Sequence, residues 1–451
     1  MNNVVTDGGS VTRSPRQTRR MIVAASLGTA FEFYDMHIYG LASGLVFAAT
    51  YFPSENPTLA SLAALATFSV GYIARPLGGV VFGHIGDRAG RKRALLLTFL
   101  IMGVATMLIG FLPTYAQIGV AAPILLVALR LAQGFAVGGE IGGAWISLVE
   151  FAPPNRRGFY GAFVQAGSSL GAIVGSTVVL ALTGVLSAEA FHSWGWRIPF
   201  LLSGLLIPIG LYVRSRIEES PEFVALTVKQ ERVRTPIVAV FRDHWRLVFL
   251  TAGITMAYLS AVYLATFYSV SFLTLSGASA AFAAVFPMVF LGGHLLVVLV
   301  GGLLADRWGR RTMFLTGVAA LAVLAMPFFL LIGSGEQGLI LTGALVIAVP
   351  AGLMAGSIGT FIAETFVGEV RYTGLSTGYQ LGSIVGGGLA PVFATLIFAA
   401  SGKQTWVLGI YLAAVAIIGF ACAAKLSGSS QMSDATEVAT STAPVVSQNR
   451  S

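Results

Sequence analysis

The chain has 451 residues, of which 56% are hydrophobic and only 10% charged, and its formal net charge is +8. A soluble domain carries about a quarter charged residues, so this composition excludes an ordinary soluble enzyme. The mean hydropathy of +0.82 and the long apolar runs predict membrane-spanning helices, which satisfy their own backbone hydrogen bonds in lipid. The single cysteine, Cys422, excludes an intrachain disulfide.

The hydropathy pattern predicts twelve spans, six on each side of a polar linker at residues 216–245. The first six lie near residues 21–50, 59–82, 94–113, 118–148, 160–185 and 198–215, which gives a first bundle at 21–215. The second six lie near 246–273, 280–303, 313–333, 338–362, 375–398 and 404–425, which gives a second bundle at 246–425. A basic N-terminus (1–20) precedes them, and a tail (426–451) rich in Ser, Thr and Ala is expected to be disordered.

Positive charge is distributed asymmetrically along the chain. If the N-terminus is cytoplasmic, 27 Lys and Arg residues fall in cytoplasmic loops or termini with four exceptions. The exceptions are Arg75, Arg130, Arg197 and Lys403. The positive-inside rule therefore predicts that both termini are cytoplasmic. The net positive charge follows from this topology and needs no nucleic-acid partner.

The loops predicted after spans 2 and 8 share one pattern, G-x-x-x-D-R-x-G-R-[KR]. The copies begin at Gly83 and Gly302, and their aspartates, Asp87 and Asp306, lie 219 residues apart. A repeat at nearly half the chain length predicts two homologous halves related by an axis along the membrane normal.

The acids and arginines of these loops can pair across the halves and close the cytoplasmic side. The alternative is that they only set the topology and tighten a turn. The predicted cytoplasmic gate comprises Asp87, Arg88, Arg91, Glu150, Arg156, Asp306, Arg307, Arg310, Glu364 and Arg371.

Four further stretches resemble the metabolite:H+ symporter branch of the major facilitator superfamily. They are GTAFEFYD at 28–35, FSVGYIARPLGG at 68–79, RLAQGFAVGGE at 130–140 and WGWRIPF at 194–200. The resemblance covers about residues 20–425. It implies an all-α polytopic membrane protein of a bacterial inner membrane, with twelve transmembrane helices in two pseudo-symmetric six-helix bundles. Known members of the branch carry shikimate, α-ketoglutarate, citrate, and proline or betaine. Phe33, Met36 and Gln380 depart from the residues that members often have there.

Ionisable residues within spans cost ~2.5–3.5 kcal/mol or more each, so each is a functional candidate. The five candidates all lie in the first half: Glu32, Asp35, Arg75, Arg130 and Glu140. Glu32 and Asp35 are three residues apart, near the midplane and on one helix face. Mutual repulsion and burial favour the neutral form of one carboxyl group. The expected proton site is therefore Asp35 or Glu32, with Glu140 third; for each, the alternative is a static pair with an arginine.

Arginine binds carboxylates in a bidentate manner, so Arg75 and Arg130 predict a binding site for an organic anion. For Arg75 the alternative is a latch or a side chain that reaches the membrane surface. The polar residues expected to share the substrate site are Gln133, Tyr34, Gln165, Tyr379 and Gln380. Tyrosines within spans are more often packing residues or interface anchors.

The sequence contains no phosphate-binding glycine loop, zinc-ligand spacing or nucleophile elbow. We therefore expect no catalytic or metal site and no cofactor, with the proton as coupling ion. The leading hypothesis is a proton-coupled symporter that imports a small organic acid anion by alternating access, as a monomer in the lipid bilayer. The alternative is a proton-driven exporter of a drug or metabolite. A third possibility, a non-transporting sensor, requires a soluble signalling domain that the linker and tail are too short to form.

Overall fold

The computed structural model describes residues 15–89, 91–138, 152–215, 236–366 and 371–426. Within these ranges the chain is helical and contains no strand. Twelve helices, numbered α1 to α12 in chain order, match the twelve predicted spans one to one. Ten of the described helices are long and apolar enough to cross a membrane. The predicted fold class is confirmed.

The first half contains α1 to α6. Helix α1 runs over Pro15–Ala42, a π-helical turn at Ser43–Phe47, and Ala48–Tyr51. The others are α2 at Pro57–Ala89, α3 at Arg91–Phe111, α4 at Ala121–Val137, α5 at Arg157–Val185 and α6 at Ile198–Ser215.

The second half contains α7 to α12. Helix α7 comprises Trp245–Tyr263, a π-helical turn at Leu264–Tyr268, and Ser269–Leu275. Helix α11 comprises Arg371–Ser383, a π-helical turn at Ile384–Leu389, and Ala390–Ala400. The others are α8 at Ala280–Trp308, α9 at Arg310–Ile332, α10 at Gln337–Ala363 and α12 at Thr405–Lys425.

The repeated motif has a different secondary structure from the one predicted. It was expected in loops, but most of each copy lies on helices, since α2 continues to Ala89 and α8 to Trp308. The second copy turns at a single residue, Gly309, whose φ of +90° suits glycine. We call the end of the bundle that carries both copies the motif face, and the other end the opposite face. A helix at Pro236–Asp243 occupies the end of the predicted linker; linker residues 216–235 and tail residues 427–451 lie outside the described residues.

The two halves also repeat a feature that hydropathy does not reveal. The π turns of α1 and α7 occupy matching places, because Leu264 follows Ser43 by 221 residues. This offset is close to the 219 residues between the two motif aspartates. Such turns recur at functional sites, because they interrupt the regular helical hydrogen-bonding pattern.

Glycines set the close crossings that position the centre of the first half. Helices α2 and α4 cross where Gly71 faces Gly134, and a Cβ atom on Gly134 would meet the carbonyl oxygen of Gly71. Helix α5 meets the backbone of α1 at Gly167 and Gly171. Small residues allow such approaches between helices. The crossings bring the middles of α1, α2 and α4 together.

Candidate functional site

A cavity of about 10 Å³ lies at the centre of the first half. Its polar and charged lining residues are Glu32, Asp35, Arg75, Arg130 and Gln133. None of these side chains is more than 5% exposed. The volume is roughly that needed for a single water molecule. Four of the five intramembrane charges found in the sequence therefore form one buried cluster, which is too small to hold a metabolite in this state.

Hydroxyl groups from two other helices hold the Asp35 carboxyl group. Oδ1 lies 2.7 Å from the Ser203 hydroxyl of α6. Oδ2 lies 3.0 Å from the Thr106 hydroxyl of α3. Neither partner is charged, so this carboxyl group does not depend on an ion pair with either of them.

The Thr106 hydroxyl has three polar neighbours but only one proton. It lies 3.0 Å from Asp35 Oδ2 and 2.9 Å from the Met102 carbonyl oxygen. It also accepts a hydrogen bond from Gln133 Nε2 at 2.6 Å. If Asp35 is ionised, Thr106 donates to it. If Asp35 is protonated, Asp35 donates to Thr106 and Thr106 turns its proton to the Met102 carbonyl. The same geometry therefore satisfies both states of the carboxyl group.

This hydroxyl also begins a chain of hydrogen bonds to Arg130. Gln133 accepts from Arg130 Nη1 at 3.3 Å while its own Nε2 donates to Thr106. The Arg130 guanidinium lies over the Tyr39 ring, 4.2 Å from its centroid. Arg130 Nε has no hydrogen-bond partner among the described residues. A change at Asp35 can thus reach Arg130 through two side chains.

A second cluster surrounds the sulfur of Met36. Arg75 Nη2 donates to this sulfur at 3.2 Å, and the guanidinium lies 3.9 Å from the centroid of the Tyr72 ring. The Tyr72 and Tyr263 hydroxyls lie 3.1 and 3.4 Å from the same sulfur. Tyr263 belongs to α7, so the cluster joins the two halves. Glu32 lies within electrostatic range of Arg75 and lines the same cavity.

Two residues predicted for the substrate site do not line the cavity. Tyr34 faces away from it, because its hydroxyl donates to the Pro199 carbonyl oxygen at 2.9 Å and fixes α1 against α6. Gln165 Nε2 donates to the Tyr258 hydroxyl at 2.5 Å, which links α5 of the first half to α7 of the second. In this state both residues have packing contacts in place of a cavity surface.

The two predicted residues of α11 also lie outside the cavity lining. Gln380 Nε2 donates to the Gly138 carbonyl oxygen at 3.4 Å, across the boundary between the halves. Tyr379 is buried and lies within electrostatic range of Arg75. Thr106 and Ser203, which hold Asp35, were not predicted, because hydroxyl side chains are common in membrane helices and neither follows a motif.

At the motif face, Asp306 joins the two halves. Its carboxylate accepts hydrogen bonds from the backbone amides of Gly158 at 2.7 Å and Phe159 at 2.9 Å. These amides lie at the N-terminus of α5, where unpaired N–H groups and the helix dipole favour a negative charge. Among the described residues, this contact between the halves joins a carboxylate to backbone amides; the predicted acid–arginine pairs across the halves stay a prediction, because most of their side chains lie outside the described part of the structure.

One arginine–acid pair at this face lies within the second half, where Arg310 pairs with Glu364. Arg156 and Arg307 are exposed. The side chains of the other predicted gate residues, and the predicted third acid, lie outside the described part of the structure: Asp87, Arg88, Arg91, Arg371, Glu150 and Glu140.

The halves also meet at the opposite face. The Ser61 and Ser271 hydroxyls lie 2.6 Å apart, which joins α2 to α7. Further along α2, towards the buried cluster, the Ser69 hydroxyl donates to the Gly388 carbonyl oxygen at 2.5 Å. The halves therefore meet on both sides of the buried cluster.

Comparison with known proteins places this arrangement in a family. The family model described as Major Facilitator Superfamily matches residues 25–375. The chain belongs to the major facilitator superfamily. A solved structure of the proton:xylose symporter XylE, bound to 6-bromo-6-deoxy-D-glucose, matches with a TM-score of 0.71 over 91% of this chain and 95% of that chain. At 17% identity this likeness supports the fold alone.

Curated relatives of this major facilitator protein are metabolite transporters. The inner membrane metabolite transport protein YhjE of Escherichia coli K12 is 40% identical over 89% of this chain and 93% of its own length. The shikimate transporter of the same strain is 37% identical over 90% and 94%. The proline/betaine transporter of Salmonella typhimurium LT2 is 36% identical over 89% and 82%. The chain is thus a multi-pass membrane transporter of small molecules and not an enzyme.

Proposed function

We propose that this transporter imports a small carboxylate together with protons, by alternating access, with the motif face and both termini in the cytoplasm. One observation carries the proposal: a buried cavity brings two carboxyl groups and two arginines together, and hydrogen bonds link Asp35 to Arg130. The distribution of Lys and Arg along the sequence supports the orientation.

Asp35 is the proposed proton site. The charged groups that share its cavity are Glu32, Arg75 and Arg130. A carboxylate in a buried ion pair loses a strong partner when it is protonated, and breaking such a pair is costly. Asp35 instead has hydroxyl partners, which both donate and accept, so it keeps its hydrogen bonds in either state. Glu32, close to Arg75, supplies the fixed negative charge of the cluster.

The arginines are the proposed reason for carboxylate selectivity. Buried guanidinium groups require acceptors, yet the Nε atoms of Arg75 and Arg130 have no hydrogen-bond partner among the described residues. A carboxylate supplies two acceptor oxygens in the geometry that guanidinium prefers. Shikimate, proline and betaine, named for the relatives, each carry one carboxylate.

Alternating access is proposed to proceed by opening one face at a time. The Asp306 contacts close the motif face and the Ser61–Ser271 contact closes the opposite face. Each of these contacts consists of only one or two hydrogen bonds between the halves. Rocking of the bundles about the central cluster can therefore break one set while the other remains.

The test is uptake of radiolabelled shikimate and proline into proteoliposomes with and without an inwardly directed proton gradient. We expect the gradient to drive accumulation, and Asp35→Asn to abolish gradient-driven accumulation while it retains exchange of substrate at equal pH. The control is Asp243→Asn, which alters an exposed pair with Arg242 away from the cavity. If uptake of either probe does not depend on the proton gradient, proton coupling is contradicted. If the gradient instead drives the probe out of the vesicles, the protein is an exporter. If neither probe is transported, the proposed substrate class is wrong.

A further inference from the structure

Three hydrogen-bond donors converge on the thioether sulfur of Met36. They are Arg75 Nη2 at 3.2 Å, the Tyr72 hydroxyl at 3.1 Å and the Tyr263 hydroxyl at 3.4 Å. The two hydroxyls also lie close enough to interact with each other. Thioether sulfur is a weak acceptor, so it satisfies a guanidinium and two phenols poorly. The position that the sulfur occupies would suit a negatively charged oxygen far better.

We propose that Arg75, Tyr72 and Tyr263 form the subsite for the substrate carboxylate, and that the Met36 sulfur satisfies these donors when no carboxylate is bound. This inference rests on the proposed carboxylate substrate. Neither tyrosine was among the predicted site residues. Both are buried, at 0% and 3% exposure, and buried donors of this strength require an acceptor.

The position of the subsite explains how binding engages both halves. Arg75 and Tyr72 belong to α2, whereas Tyr263 lies on α7 immediately before its π turn. A carboxylate held by all three donors connects the first half to the second. Met36 lines the cavity beside Arg75, and its unbranched side chain has three rotatable bonds, so it can move aside without a backbone change.

Met36 also has a consequence for the transport cycle. A symporter must return through the closed state without substrate, and three buried donors would then lack their acceptor. The Met36 sulfur lowers the free-energy cost of leaving these donors without an acceptor, and as a weak acceptor it competes little with a carboxylate. Replacing Met36 should therefore strengthen carboxylate binding and slow the return of the transporter without substrate. Affinity would rise while net transport falls.

The first experiment measures binding to purified full-length protein in nanodiscs, by thermal stability, without any proton gradient. The probes are acetate, benzoate, shikimate and proline, each compared with its uncharged amide or methyl ester at the carboxyl group. We expect at least one carboxylate to stabilise the protein while its neutral counterpart does not. Tyr72→Phe and Tyr263→Phe should each weaken that binding about tenfold, and Met36→Leu should strengthen it severalfold.

Two matched controls separate the subsite from general packing. Tyr268→Phe removes a buried hydroxyl five residues after Tyr263 that has no hydrogen-bond partner among the described residues, and Met313→Leu alters a buried methionine of α9. Both should leave carboxylate binding unchanged. The inference is overturned if none of the carboxylates stabilises the protein, if acid and neutral analogue bind equally, or if binding survives Tyr72→Phe and Tyr263→Phe unchanged.

The second experiment compares net uptake with exchange in proteoliposomes, using the carboxylate that binds. We expect Met36→Leu to reduce net uptake about tenfold and to reduce exchange much less, because exchange does not require the return without substrate. Equal loss of both activities overturns the role of the sulfur. Failure of proton coupling is separate: it abolishes the effect of the gradient but leaves the binding results unaltered.

Discussion

Replacing Thr106 by valine tests how the proton site is built. The substitution keeps the shape of the side chain and removes the hydroxyl that lies 3.0 Å from Asp35. A hydrogen bond to a charged acceptor contributes about 1.5–3 kcal/mol, and one between neutral groups about 0.5–1.5 kcal/mol. The ionised form of Asp35 therefore loses about 1 kcal/mol more than the protonated form. Since about 1.4 kcal/mol corresponds to one pH unit, the pH of half-maximal gradient-driven uptake should rise by roughly 0.7 unit.

The assay is initial uptake into proteoliposomes as a function of external pH, at a fixed inward proton gradient. Thr106→Ser keeps the hydroxyl and should restore the wild-type profile. Thr98→Val is the control on the same helix, because the Thr98 hydroxyl donates to the Leu95 carbonyl oxygen and does not touch Asp35. If Thr106→Val gives the wild-type profile while Asp35→Asn abolishes coupling, the relay through Thr106 is refuted and the proton site stands.

Two further predictions concern the arginine and the motif face. In Gly71→Ala the new Cβ would lie 2.7 Å from Arg130 Nε, so we expect at least tenfold slower uptake at normal expression. The control is Gly184→Ala, where nothing lies within 4 Å of the new Cβ, and uptake should not change. Equal uptake by both variants would contradict the idea that transport depends on the position of Arg130. Asp306→Ala removes both hydrogen bonds to the start of α5, so the motif face should open more often. Faster labelling of a cysteine introduced there, in a background where the single native Cys422 is replaced by serine, would show this, and an unchanged rate would exclude Asp306 as a closing contact.

The sequence was sufficient to predict the fold because its strongest signals are long and periodic. Twelve apolar runs and a motif repeated at half the chain length predict two six-helix halves, and the observed helices match them. The intramembrane charges were predictive for a different reason: burying a charge is costly, so few roles other than a functional one account for it. Glu32, Asp35, Arg75 and Arg130 do line one cavity.

The details of the site depend on which helix faces meet, and hydropathy does not encode that. Tyr34 has the residue type of a cavity tyrosine, yet the rotation of α1 turns it towards Pro199. Thr106 is one of several threonines in apolar helices, and only the packing of α1, α3 and α4 makes it the neighbour of both Asp35 and Gln133. Met36 was noted in the sequence only as a departure from the family pattern, and the three donors at its sulfur became apparent in the structure.

The π turns of α1 and α7 divide each helix into two rods. On α7 the joint at Leu264–Tyr268 separates Tyr263, beside the Met36 sulfur, from Ser271, which closes the opposite face. We expect the outer rod to change its angle during opening while the inner rod keeps its place, and spin labels on the two rods would measure that angle. The donors that bind the carboxylate would then already be in position when substrate arrives. The conformational change of opening would be confined to the π turn, away from these donors.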